Sequence, residues 1–154
     1  MSKVAALRSK LFHLYFLFRR PMTLGVRAIV EDREGRVLLV RHTYVKGWYF
    51  PGGGVETGQT MEQALAMELR EEVVIDKMGE VELLGIYLNL HNSRRDHVAL
   101  YRVRNWSQQG TFRPNKEIAE IGFFPVDDLP KETTKSTRAR LVELCQGAEK
   151  SGVW

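Results

Sequence analysis

The chain has 154 residues, 44% apolar and 27% charged, a composition that supports one domain with a real core and argues against disorder. Its single cysteine, Cys145, excludes an intramolecular disulfide framework and fits a reducing compartment, so the cytoplasm is the expected location. The net charge of +4 is uneven: Lys3, Arg8, Lys10, Arg19 and Arg20 put +5 into the first twenty residues with no acid among them, which leaves the remainder near −1 and argues against nucleic-acid binding by the main body.

Val4, Leu7, Leu11, Leu14 and Phe18 recur at helical spacing and predict a helix over residues 3–18, ended by Pro21. No signal-peptide pattern is apparent, and the apolar run from Leu11 to Phe18 is too short to span a bilayer and contains His13. Two readings of this helix stay open. It packs against the domain or a dimer partner, or it lies as a basic amphipathic helix on a membrane surface. Residues 1–20 are therefore expected to form an arm, and residues 21–154 a single domain.

Residues 23–32 and 36–42 read as strands joined by a turn at "REG", which predicts a hairpin. A loop follows through "TYVKGWYFPGGG". Thr60 and Gln63 form a capping-box pattern ahead of a helix reaching about Val74. The runs "VELLGIYLNL" and "HVALYRVRN" predict a second hairpin across the polar tip "HNSRRD". A short strand over 120–126 and a closing helix over 136–150 complete the order α-β-β-α-β-β-β-α, an α/β chain of the α+β kind with a mixed sheet covered by helices.

Within the helix after Thr60, Glu68, Glu71 and Glu72 fall on an arc of about 100°, with the apolar stripe Leu65, Leu69 and Val73 beside it and Arg70 on the far side. Like charges at i,i+4 cost a helix a few tenths of a kcal/mol, and Arg70 points away from them. A hard divalent cation would turn that repulsion into coordination; the plain alternative is a solvated acidic face. The preceding Gly52, Gly53 and Gly54 permit a close backbone approach and N–H groups directed at phosphate oxygens. A phosphate cradle thus precedes a cluster suited to metal.

This segment resembles the Nudix box, which runs Gly, five residues, Glu, seven residues, then Arg-Glu-apolar-x-Glu-Glu-x-Gly-apolar. Gly53 takes the first position, and Glu68, Leu69, Glu71, Glu72 and Ile75 all match; "GWYFPGGGVETG" resembles the family's lead-in. Gln59, Met67 and Val74 depart from its glutamate, arginine and glycine. The resemblance implies an α/β/α sandwich with a mixed sheet, here with an extra N-terminal helix. It also implies Mg²⁺- or Mn²⁺-dependent hydrolysis of a diphosphate linkage in a nucleoside diphosphate derivative.

On that basis Glu68 and Glu72 are the expected metal ligands, with Glu71 a third ligand or a group that orients water. Glu71, Glu72 and Glu117 form the expected catalytic set. Glu117 and Glu120 both stand where the family often places a functional glutamate, and Glu117 ranks first as the deeper in its loop. Gln59 is no more than an outer contact. Arg27 lies on the strand face opposite Val26, Ala28 and Val30, and either projects to substrate phosphate with Gly52, Gly53 and Gly54 or ion-pairs at a strand edge.

Arg94 and Arg95 read as a solvated hairpin tip, and Trp48 and Tyr49 as buttresses of the glycine loop. No proline occurs between Ile75 and Pro114, which argues mildly against the ADP-sugar hydrolases of the family. A homodimer and peripheral membrane contact through the arm both fit the chain. The competing expectation is a Nudix-fold nucleotide-binding or regulatory module with little turnover, favoured by Gln59 and Met67.

Overall fold

The computed structural model describes residues 3–154; Met1 and Ser2, the start of the expected arm, lie outside the described residues, as do the side chains of Lys3, Val4, Ala5 and Ala6. Helix α1 (Lys3–Arg19) has the expected span. It does not pack on the domain. From Leu7 to Arg20 every side chain is exposed except Phe16, which is half-buried beneath Phe12, Tyr15 and Arg20 of the same segment.

Strand β1 (Thr23–Val30) and β2 (Val37–His42) sit where expected but do not form the predicted hairpin ladder. A turn at Asp32–Arg36 and one bridge, Glu31 to Val37, join them before they diverge. Their partners are distant in the chain. β1 runs parallel to β5 (Asp96–Arg104), and β2 runs antiparallel to β7 (Ile118–Phe124). Both strands carry apolar residues on two faces, so each is stabilised by entering a doubly covered sheet rather than a two-stranded ribbon.

The predicted second hairpin forms: β4 (Glu80–Leu88) pairs antiparallel with β5. Two short strands that sequence periodicity missed, β3 (Ile75–Lys77) and β6 (Ser107–Gln108), pair with each other. The main sheet has the order β1-β5-β4, and β2-β7 forms a second.

Alternation along the strands divides the core in two. Val26, Ala28 and Val30 pack with Leu65, Leu69 and Val73 of helix α2 (Met61–Val73). Ile29, Leu39 and Leu100 pack on the other side with Leu141 of helix α3 (Lys135–Gln146). The result is the expected α/β/α sandwich. α2 begins with the full capping box, Thr60 and Gln63 each accepting the other's backbone N–H. It ends at Val74 in the left-handed region (φ 56°), the conformation glycine favours and the box glycine would occupy without strain. α3 ends at Gly147, also left-handed, four residues short of the sequence expectation of Lys150 when counted from Gln146.

Candidate active site

The glycine loop is part of the sheet. Ala28 donates to Pro51 O (3.0 Å), Val26 to Gly53 O (2.8 Å) and Val55 to Leu24 O (2.8 Å), so residues 51–55 line the β1 edge that β5 leaves free. Gly52 presses closest: with φ +135°, a Cβ there would stand 2.1 Å from Val26 O. This approach turns the Gly52 N–H onto Glu72, whose Oε2 accepts it at 2.7 Å. Next to it, a Cβ on Gly53 would stand 2.3 Å from Glu68 Oε1, so the Glu68 carboxylate fills the space a side chain would need. Gly54 has open space around it. The sequence placed all three glycines at a phosphate. In the structure Gly52 and Gly53 seat two carboxylates of α2, and the Gly52 N–H is taken up in doing so.

Glu68, Glu71 and Glu72 line a cleft of about 310 Å³ with Asn115, Lys116, Glu117 and Ile118 on the opposite wall. Glu72 is buried, Glu68 half-buried, and Glu71 and Glu117 exposed. Burial pushes the Glu72 carboxyl up to about 7; the Gly52 hydrogen bond and Arg27 oppose that, while Glu68 and Glu117 add to it. Burial also raises Glu68, helped by Glu71 and Glu117 and opposed by Arg27. None of these four glutamates is ion-paired among the described residues. They are hard oxygen donors of one sign facing a shared cleft, which fits a divalent cation. Among the described residues, no three acidic, histidine or cysteine side chains already converge tightly enough to hold one.

Arg27 stands beyond ion-pairing distance of all four, with Nη1 buried and without a partner. It faces the cluster, since Glu68, Glu72 and His42 all feel its charge. The strand-edge ion pair weighed from sequence is absent among the described residues. Glu120 is engaged elsewhere, paired with Arg41 across β2 and β7. Glu117 is free at the cleft; its backbone N–H and that of Ile118 both donate to Asn115 Oδ1. Trp48 is buried in the second core against Phe124, and Tyr49 anchors its hydroxyl on Lys46 O. Arg94 and Arg95 are exposed in the turn before β5.

Two residues went unassigned from sequence. His42 is buried with Nδ1 unpartnered; burial, then Arg27, lowers its pKa, which favours the neutral ring. It ends a strand whose first four residues are apolar, next to Arg41, and that position was the available signal. Tyr44 is 73% exposed, lies on His42 (ring centroids 5.1 Å apart) and feels the charges of Glu72, Arg27 and Glu117.

Two of the three unusual box residues, Gln59 and Met67, touch. Gln59 Nε2 lies 3.6 Å from Met67 Sδ, while Gln59 Oε1 accepts from Glu56 N at 3.0 Å. Where the family pattern has a glutamate and an arginine, this chain has a neutral pair in contact.

The family model for the NUDIX domain matches residues 21–145. The chain belongs to the Nudix family. It is 29% identical over 126 residues to a "MutT-like protein" of Streptomyces ambofaciens, covering 82% of this chain and 79% of that one. It is 31% identical over 121 residues to an "ADP-ribose pyrophosphatase" of Methanocaldococcus jannaschii, covering 76% and 69% respectively. The crystal structure of a MutT NUDIX hydrolase from Burkholderia pseudomallei superposes with a TM-score of 0.66 at 27% identity, covering 77% of this chain and 95% of that one. The chain is thus a Nudix-type diphosphate hydrolase, of a family that generally uses divalent metal ions.

Proposed function

We propose that this Nudix protein hydrolyses a diphosphate linkage in a nucleoside diphosphate derivative in the cytoplasm, with Mg²⁺ or Mn²⁺ held by Glu68, Glu71 and Glu72. The observation that carries this reading is the seating of Glu72 and Glu68 by Gly52 and Gly53, which fixes two carboxylates at the cleft with no cation of the protein paired to them. A bound divalent ion there would offset phosphate charge and acidify water. Glu72 Oε2 accepts the Gly52 N–H, so the loop sets the orientation in which this carboxylate would hold an ion.

Water attacks one phosphorus, the bridging P–O bond breaks, and the proton from water passes to Glu117 on the opposite wall. Arg27 brings a guanidinium to the phosphates, and Gly54 leaves room for their approach. Buried His42, held towards its neutral form, backs Tyr44 through the contact of their rings. Tyr44 offers an exposed ring face for the base, a role that the burial of Trp48 denies to the tryptophan.

Hydrolysis is put ahead of the binding-module reading because Glu68 and Glu72 keep their seats against Gly53 and Gly52 although Gln59 and Met67 replace a glutamate and an arginine. The test is a panel of ADP-ribose, other nucleotide sugars and nucleoside triphosphates assayed with Mg²⁺, Mn²⁺ and a chelator. Metal-dependent release that Glu72→Gln abolishes, with the melting transition retained, is expected. Metal-dependent nucleotide binding without product release would establish the binding module instead. Unaltered activity in Glu72→Gln would overturn the ligand assignment.

A further inference from the structure

Helix α1 leaves Leu7, Leu11, Leu14 and Phe18 more than half exposed, Phe18 at 77%. On a helix these four share an arc of about 60°, with Lys10 flanking one side and Arg8 and Arg19 the other. Tyr15 borders the stripe, while Phe12 lies beyond Arg8 and Arg19 and Leu17 beyond Lys10, so the cations are set within a wider apolar surface; all three are more than half exposed as well. A patch of this kind on one helix calls for a cover, and the domain does not supply it.

We propose that α1 lays the protein on an anionic lipid surface, its apolar stripe at the acyl boundary and its cations among the headgroups. Charge selects this occupant over a second copy. The first twenty residues hold five cations and no acid, so pairing two arms sets like charges against each other with nothing to answer them. Anionic headgroups answer every one of them. Flanking lysine and arginine stems can follow the stripe inward while their charges stay in the headgroup layer. Phe12, Tyr15 and Phe18 are of the aromatic type that favours this interface.

α1 has 17 residues, and no described helix is long and apolar enough to cross a membrane. Only Arg20, Pro21 and Met22 separate α1 from β1, and Met22 is itself exposed, so the link to the sheet that carries Arg27 is short.

The test uses the full chain in flotation with vesicles of phosphatidylcholine alone and of phosphatidylcholine mixed with phosphatidylglycerol. Binding to the anionic vesicles only, weakened by salt, is expected. Arg8→Gln, Lys10→Gln and Arg19→Gln each lower the partition coefficient roughly fivefold. Leu11→Ser with Phe18→Ser removes binding while the melting transition of the domain stays in place. Equal binding to neutral vesicles, or none to either, overturns the proposal. So does a dimer in analytical ultracentrifugation that the Leu11→Ser, Phe18→Ser variant dissolves in a protein that binds no vesicles.

Discussion

Gly53→Ala separates the seating of a carboxylate from the stability of the fold. Gly53 has no left-handed φ, so alanine is not barred by its backbone, and a compatible glycine-to-alanine change gains about 0.4–1 kcal/mol through the unfolded chain. The new Cβ would meet Glu68 Oε1 at 2.3 Å and Oε2 at 2.8 Å. To reach ordinary contact the carboxylate retreats by about 1 Å, and a displacement of that size costs roughly 100-fold in rate. The obstacle is the end of a flexible side chain, so the change in unfolding free energy stays within about 1 kcal/mol. Steady-state kinetics with Mg²⁺ and urea unfolding measure the two quantities. The neighbour supplies the contrast. In Gly52→Ala the Cβ meets backbone at 2.1 Å in a φ of +135°, and the fold loses about 3 kcal/mol or more. Wild-type turnover in Gly53→Ala, or loss of its activity only through unfolding, would refute the claim that Glu68 is seated against this glycine for chemistry.

Gln59→Glu and Met67→Arg, made singly, each cost about 1 kcal/mol, and the double variant also costs only about 1 kcal/mol, half of their sum. A double-mutant cycle should thus show a coupling of about 1 kcal/mol, whereas additivity would mean that the pair is not a unit. Tyr44→Ala should raise KM about tenfold with kcat little changed if the ring stacks on a base; a fall in kcat alone would remove Tyr44 from base binding. Asp96→Asn tests a buried carboxylate away from the cleft. Burial pushes the Asp96 carboxyl up, but hydrogen bonds from Thr23, Asn92 and Asn89 outweigh it and hold the carboxyl below its ordinary 3.8. The stability it contributes is fully present above pH 3.8 and is lost as pH falls through the lower native value. Wild type should therefore exceed Asp96→Asn by a constant margin near neutrality that shrinks in acid; a margin that grows in acid would contradict this.

What could be read from the chain was local. The arc of Glu68, Glu71 and Glu72, the stripe of Leu65, Leu69 and Val73 and the Thr60–Gln63 cap depend on neighbours within a turn or two, and the structure reproduces all of them. The false hairpin arose because adjacent strands with a good turn look alike whether they pair or part; β1 chooses β5, far along the chain, for burial on both faces. The choice between Glu117 and Glu120 rested on loop depth, whereas the structure separates them by register: Arg41 stands opposite Glu120 and claims it. His42 was overlooked because one histidine at a strand end carries no pattern, and its value comes from Arg27 and Glu117 meeting it in space. The contact of Gln59 with Met67 needed the loop's path, which spacing alone does not give.

The bonding of residues 51–55 to β1 sets which wall of the cleft can move. Opening that loop breaks sheet hydrogen bonds from Val26, Ala28 and Val55 and exposes buried Pro51 and Gly52, so the bonded amides of Gly52, Val55, Val26 and Ala28 should exchange with solvent as slowly as those of the central strands. The facing segment, Asn115 to Glu117, is exposed and tied down mainly by the Asn115 side chain and by the Thr43 contacts with Lys116 and Glu117. The carboxylates therefore sit on an anvil, and adaptation to different substrates is left to the opposite jaw.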